Sequence, residues 1–104
     1  MKEIHLLPRL CSEIINGSKA TEEGKLSQIL ALINEHGAFW SGIYLLKKDG
    51  LHLHIFQGLN ACEYIPVTRG ICGRAIKERK IQVVTDVTKD DNYLACHPQT
   101  KSEI

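Results

Sequence analysis

Two runs of apolar, strand-favouring residues meet across Lys47-Lys48-Asp49-Gly50, and that junction constrains the fold more than any other feature of the chain. Residues 39–46 are rich in aromatic and branched side chains. After the turn, Leu51, Leu53 and Ile55 alternate with His52, His54 and Phe56. Alternation sends successive side chains to opposite faces, so each run reads as a strand, and Asp-Gly between two such runs is a hairpin signal. Upstream the period changes. Ile4, Leu7, Cys11, Ile14 and Ile15 recur at helical spacing, with Pro8 marking a late start or a kink, and Asn16-Gly17-Ser18 ends that segment. Thr21 is an N-cap residue followed by Glu22 and Glu23, which suit the positive end of a helix. Leu26, Ile29, Leu30 and Ile33 then form one apolar stripe closed by Gly37. Downstream, Ile65-Pro66-Val67 reads as a short edge segment, residues 70–79 as a helix and residues 81–84 as a strand. Residues 85–102 are irregular, and Glu103-Ile104 reads as the first step of another strand. The sum is an α+β domain, with helices packed on one face of an antiparallel sheet.

Composition narrows the function classes. The chain has 104 residues, 43% hydrophobic and 24% charged, with 13 basic against 12 acidic side chains and a net charge of +1. That is too apolar for a disordered chain and too neutral to be held to nucleic acid by bulk charge. No apolar run approaches the ~20 residues of a membrane helix, so neither a membrane nor a nucleic acid is an expected partner. Acidic Glu3, His5, Pro8 and Arg9 interrupt what a secretion signal would need as its apolar core, which points to the cytoplasm. In that compartment thiols are kept reduced, so Cys11, Cys62, Cys72 and Cys96 read as packing or reactive groups rather than a disulfide framework.

The thiols are not spaced for a metal. Nine residues separate Cys62 from Cys72 and twenty-three separate Cys72 from Cys96, with no Cys-x-x-Cys pair. Cys11 falls on the apolar face of the first helix and reads as packing. Cys72 lies in the first turn of a predicted helix, where unpaired amides and the helix dipole favour a thiolate. A small residue buried against the sheet is the equal alternative. Cys96 and Cys62 both fall in loops, which carry function more often than the elements they connect. His52 and His54 share a strand face without a third ligand. Asp86, Thr88 and Asp90 lack the glycine and closing glutamate of a calcium loop. Gly70-x-x-Gly73 beside Arg69 and Arg74 matches an RNA-clamping loop only superficially.

Several segments follow one another in a telling order: Trp40-Ser41-Gly42-Ile43-Tyr44-Leu45, Phe56-Gln57-Gly58-Leu59-Asn60-Ala61-Cys62, Ile65-Pro66-Val67, Gly70-Ile71-Cys72-Gly73 with Ala75, Asp86-Val87, Ala95-Cys96 and Ser102-Glu103-Ile104. In wording and interval this resembles the GAF-domain free methionine-(R)-sulfoxide reductases, over residues 21–104. The resemblance implies an oxidoreductase with no cofactor that acts on free methionine-(R)-sulfoxide. Cys96 would be the nucleophile that becomes a sulfenic acid, and Cys62 would condense with it to a disulfide. A thioredoxin-like reductant would reopen that bond. Cys72 is implied as the third family thiol and an alternative relay, and Glu103 as a substrate-binding acid. Trp40 and Tyr44, an even number of residues apart on one strand face, would form an aromatic wall for the substrate methyl and sulfur.

The chain departs from the family pattern in places. His97 stands where an acid follows the reactive cysteine, Thr68 and Asn92 stand for glycines, and Tyr93 stands for a histidine. The family domain also continues past Ser-Glu-Ile into further strands and a closing helix. The expectation is therefore one incomplete GAF domain over residues 1–104, with an N-terminal helix in residues 1–20 and the family match in residues 21–104, read as a reductase with an inactive fragment as the open alternative. A homodimer is among the assemblies allowed. The rival reading is a GAF-type binding domain that senses a small ligand or redox state without turnover.

Overall fold

The structure, a computed structural model, describes residues 4–59, 61–97 and 99–104. Asn60, inside the segment that leads to Cys62, and Pro98, inside the loop after Cys96, lie outside the described residues. So does Glu3 of the opening segment. The elements are a single 3-10 turn at Ile4–Leu6, helices α1 (Leu7–Gly17) and α2 (Glu22–Glu35), strands β1 (Ser41–Lys47), β2 (Gly50–Gln57) and β3 (Tyr64–Ile65), and helix α3 (Gly70–Glu78). A second 3-10 turn at Val87–Lys89 completes them. The sheet runs β1-β2-β3. The chain divides into two compact units. One gathers the chain up to Tyr44 with His54–Leu59, and the other gathers Leu45–Leu53 with the chain from Ala61 onward.

In the first unit the helix ends are set by the residues expected to set them. Pro8 occupies the first turn of α1, where its missing amide has no intrahelical partner to lose. Thr21 caps α2, its hydroxyl accepting from the Gly24 amide at 3.1 Å. At the far end the amide of Gly37 donates to the Asn34 carbonyl at 3.1 Å. Helix α1 packs along α2, and the Lys25 ammonium donates to the Ile15 carbonyl at 2.9 Å. Helix α2 is fastened to the strands by polar contacts around buried Leu30. The Ser41 hydroxyl donates to the Leu30 carbonyl, the Asn34 amide to the Gln57 carbonyl and the Gln57 amide to the Ser27 hydroxyl, at 3.0–3.1 Å.

In the second unit β3 pairs antiparallel with β2, placing Leu51 opposite Ile65 and His52 opposite Tyr64. Leu51, Ile65, Ile71 and Val87 are each no more than 4% exposed and make up its core. Burial of side chains of this size is worth about 1.5–3 kcal/mol each. The turn before β2 is fixed by two contacts to Asp49. Its carboxylate meets the His52 ring nitrogen at 2.8 Å, and its carbonyl accepts from the Tyr64 hydroxyl.

One predicted element is corrected. Residues 81–84 do not form a strand; only Val84 pairs, in a single antiparallel bridge with Glu103. Ile81 and Val83 are 85% and 65% exposed, so their apolar side chains gain little from packing, and among the described residues no further backbone extends the ladder. The bridge is nonetheless fully made, with both amides donating across it at 2.8 Å.

Candidate active site

The long loop of the second unit is irregular but anchored along its length. Asp86 accepts from the Thr88 amide and hydroxyl at 3.0 and 2.6 Å, which starts the Val87–Lys89 turn. Buried Val87 donates its amide to the Lys101 carbonyl at 2.9 Å, and the Val84–Glu103 bridge closes the loop behind it. Asp86 is thus engaged with Thr88, and Asp90 with Arg74 and the Asn92 amide. Cys96, carried by this loop, is joined to Cys62 in a disulfide spanning 34 residues of sequence, with Cα atoms 5.1 Å apart. The Nδ1 atom of the neighbouring His97 accepts from the Gln99 amide at 3.1 Å, so that nitrogen is engaged with the backbone.

Cys72 sits in the first turn of α3, and Gly70 begins that helix at φ 78°, a left-handed backbone that a side chain rarely adopts. A Cβ at Gly70 would also lie 3.1 Å from Leu94. Of the two alternatives for this position, a thiolate favoured by the helix start and a small buried residue, the surroundings favour the second. Burial, reinforced by the charge and hydrogen bond of Glu103, pushes the Cys72 thiol up to about 11 from 9.0; the backbone bond that opposes this is the smallest cause. The sulfur donates to Glu103 Oε2 at 3.7 Å. Glu103 is itself half-buried. Desolvation holds its carboxyl above the ordinary carboxylate range, although the Cys72 hydrogen bond works the other way.

Two residues beyond Cys72 the side chain of Arg74 reaches back to the loop. Its Nη2 lies 2.6 Å from Asp90 Oδ2, and its Nε donates to Gln82 Oε1 at 3.0 Å. The guanidinium beside Asp90, with the Asn92 amide donating to it, holds the Asp90 carboxyl below its ordinary range. A surface hollow of about 660 Å3, lined in part by Leu46, Lys47, Lys48, Val67, Arg74 and Lys77, includes none of the cysteines. Among the described residues no group of three or more His, Cys, Asp or Glu side chains is placed to hold a metal ion. Nor is any described helix long and apolar enough to cross a membrane.

The first unit holds the aromatic group. Trp40 stacks on Phe56 with centroids 6.1 Å apart and 18° between planes, and lies 6.3 Å from Tyr44 at a 38° tilt. The indole NH donates to the Leu59 carbonyl at 2.9 Å, satisfying the donor a half-buried tryptophan must place. Two glycines make room for the ring. A Cβ at Gly42 would come within 2.2 Å of the indole, and one at Gly58 within 2.7 Å. Gly42→Ala is therefore expected to evict the ring at a cost of about 1–3 kcal/mol. Trp40 is the single tryptophan, so a lowered melting temperature with red-shifted tryptophan emission is the measurement.

With the disulfide and its surroundings placed, the known relatives can be set beside the chain. No family model matches it. It is 46% identical over 65 residues to the free methionine-R-sulfoxide reductase of Escherichia coli, covering 62% of this chain and 39% of that protein. It is 35% identical over 101 residues to GAF domain-containing protein A of Dictyostelium discoideum, covering 96% of this chain and 63% of that one. The crystal structure of free methionine-R-sulfoxide reductase from Neisseria meningitidis, in complex with its substrate, superposes with a TM-score of 0.81 at 34% identity. That match covers 93% of this chain and 59% of the other. The chain belongs to the free methionine-R-sulfoxide reductase family. Its fold is the family's α+β GAF fold, here with three α-helices and an antiparallel sheet that does not close. The chain spans less than two thirds of the length of these family relatives.

Among the residues the family resemblance singled out, Cys62 and Cys96 are bonded, and Cys72 and Glu103 are in contact. Trp40 and Tyr44 neighbour each other in the first unit. Three participants were missed. Arg74 was read only beside a superficial RNA-clamping pattern, Asp90 only within an incomplete calcium-loop pattern, and Gly42 only as a letter in a motif. Their signal is spatial: Asp90 meets Arg74 across sixteen residues of sequence, and nothing local marks that pairing.

Proposed function

We propose that this chain reduces the R-sulfoxide of free methionine at the expense of a dithiol. The observation that carries the reading is the Cys62–Cys96 disulfide in a member of this family. Cys96 attacks the sulfoxide sulfur as a thiolate while an acid supplies a proton to the departing oxygen. The substrate S–O bond and the transient bond from Cys96 to the substrate sulfur then break as the protonated oxygen passes to the Cys96 sulfur. Methionine thus leaves reduced by two electrons, and Cys96, oxidised by two, is a sulfenic acid. Cys62 then attacks that sulfenic sulfur, the S–O bond breaks, water departs and the disulfide forms. A dithiol of the thioredoxin class restores both thiols and is itself oxidised to a disulfide.

Glu103 is assigned the proton. Desolvation of its carboxyl keeps it protonated further toward neutral pH than an exposed glutamate. Turnover that depends on this proton declines as pH rises through the raised value. Cys72 is assigned to hold a hydrogen bond to Glu103 and to stand as the reserve relay, silent in attack while it keeps its own proton. Trp40 and Tyr44 are assigned to the substrate's methyl and sulfur, a role supported by the favourable contact of sulfur with aromatic rings. The cytoplasm supplies such dithiols and is the assigned compartment.

The test is the purified chain with free methionine-R-sulfoxide, the S-sulfoxide as control, and dithiothreitol as reductant. Stereoselective appearance of methionine is expected. Binding of the R-sulfoxide without methionine would replace the reductase with a sensing domain.

A further inference from the structure

The loop that carries Cys96 is held on α3 from both partners' sides. Asp90 Oδ2 takes the Arg74 guanidinium at 2.6 Å, Asp90 Oδ1 takes the Asn92 amide at 3.0 Å, and the Asn92 carbonyl takes the Gly70 amide at 2.9 Å. The Tyr93 amide donates to the Asp90 carbonyl at 3.2 Å, so the backbone turns at Asp90 and runs on toward Cys96. Arg74 is fixed in turn by Gln82, which donates to Glu78 at 3.2 Å on the same helix. The Arg74 and Asp90 side chains are 26% and 12% exposed, so this pair is shielded in a way that surface pairs are not. In the disulfide state the covalent bond also ties the loop. Apart from that bond, the loop is tied by these α3 contacts together with the Val87–Lys101 and Val84–Glu103 backbone bonds.

We propose that Arg74 is a positioning residue that pins the loop through Asp90, so that Cys96 stays within bonding reach of Cys62 when both are thiols. The proposal rests on the reductase reading for its purpose but not for its measurement. Disulfide formation between two thiols of one chain depends on their effective concentration, and a charge-assisted bond that orders the intervening loop raises it. Cys72 and Glu103 keep their own side chains in the substitutions below, although the charges of Arg74 and Asp90 both reach Glu103.

The experiment equilibrates the chain with mixtures of reduced and oxidised dithiothreitol, without substrate, and reads the Cys62–Cys96 disulfide by mass after quenching. Arg74→Gln is expected to lower the equilibrium constant for the disulfide about tenfold. Arg74→Lys should recover most of that loss, and Asp90→Asn should reproduce it. Combining Arg74→Gln with Asp90→Asn should add little to either alone, because both remove one contact. If Arg74→Gln does not fold, Asp90→Asn and the lysine variant carry the comparison. A lowered melting temperature with an unchanged disulfide equilibrium would overturn the proposal, leaving Arg74 a structural residue. A tenfold shift in a chain that never produces methionine would support the clamp and remove the reductase reading instead.

Discussion

Cys96→Ser is expected to reduce methionine formation by at least about a thousand-fold, because no other group is assigned to attack the sulfoxide sulfur. Cys62→Ser should behave differently. Attack and methionine release precede the step that needs Cys62, so this variant should yield one methionine per chain without reductant and then stop. Its Cys96 sulfenic acid should be trapped by dimedone and seen as the mass adduct. The two variants must be compared with the reduced wild-type chain. Closing a loop of 34 residues stabilises a folded chain by about 3–4 kcal/mol in the loop-entropy model, so either serine variant melts lower than the oxidised protein for reasons unrelated to catalysis. A Cys96→Ser chain that keeps turning over, or a Cys62→Ser chain without a first methionine, would move the nucleophile elsewhere, with Cys72 the remaining candidate.

The sequence allowed both the hairpin and the opening helices to be read, for different reasons. Thr21 and Gly37 act on their own neighbours, and the alternation around Asp49-Gly50 needs only adjacent side chains, so each is a local signal. The strand expected at residues 81–84 failed because a strand is defined by its partner. The run is suitably branched, but among the described residues Glu103 alone pairs with it. The disulfide partners were legible through family resemblance and not through their spacing, since four cysteines allow three pairings. The electrostatics of Cys72 were legible only as two equal alternatives, thiolate or buried thiol. A helix-start argument counts backbone amides, whereas the outcome depends on burial and on a carboxylate 31 positions away. The tight seat of Trp40 was hidden in the same way, because the space left by Gly42 exists only once the ring is folded over it.

Cys72 should be among the least reactive thiols of the folded chain despite its place in the first turn of α3. With its thiol pushed up to about 11, the thiolate fraction at pH 8 is about a hundred-fold below that of a thiol titrating at 9.0. Iodoacetamide at pH 8, applied to a Cys11→Ser chain with the Cys62–Cys96 bond intact, should therefore alkylate Cys72 about a hundred-fold more slowly than the same chain in denaturant. Glu103→Gln should speed the folded reaction, since it removes the negative charge that opposes ionisation while keeping the volume. It should not restore the denatured rate, because burial is the larger cause. The same shift has a signed consequence for stability. The folded chain keeps a proton that the unfolded chain releases from about pH 9 upward, so the stability Cys72 contributes is whole below that value. It is lost as pH rises through about 11. Cys72→Ser should flatten that part of the stability–pH curve in urea titrations of the oxidised protein. Alkylation of folded Cys72 at the denatured rate would show that the Glu103 contact and the burial around it are absent in solution, and with them the reason for keeping Cys72 out of the first chemical step.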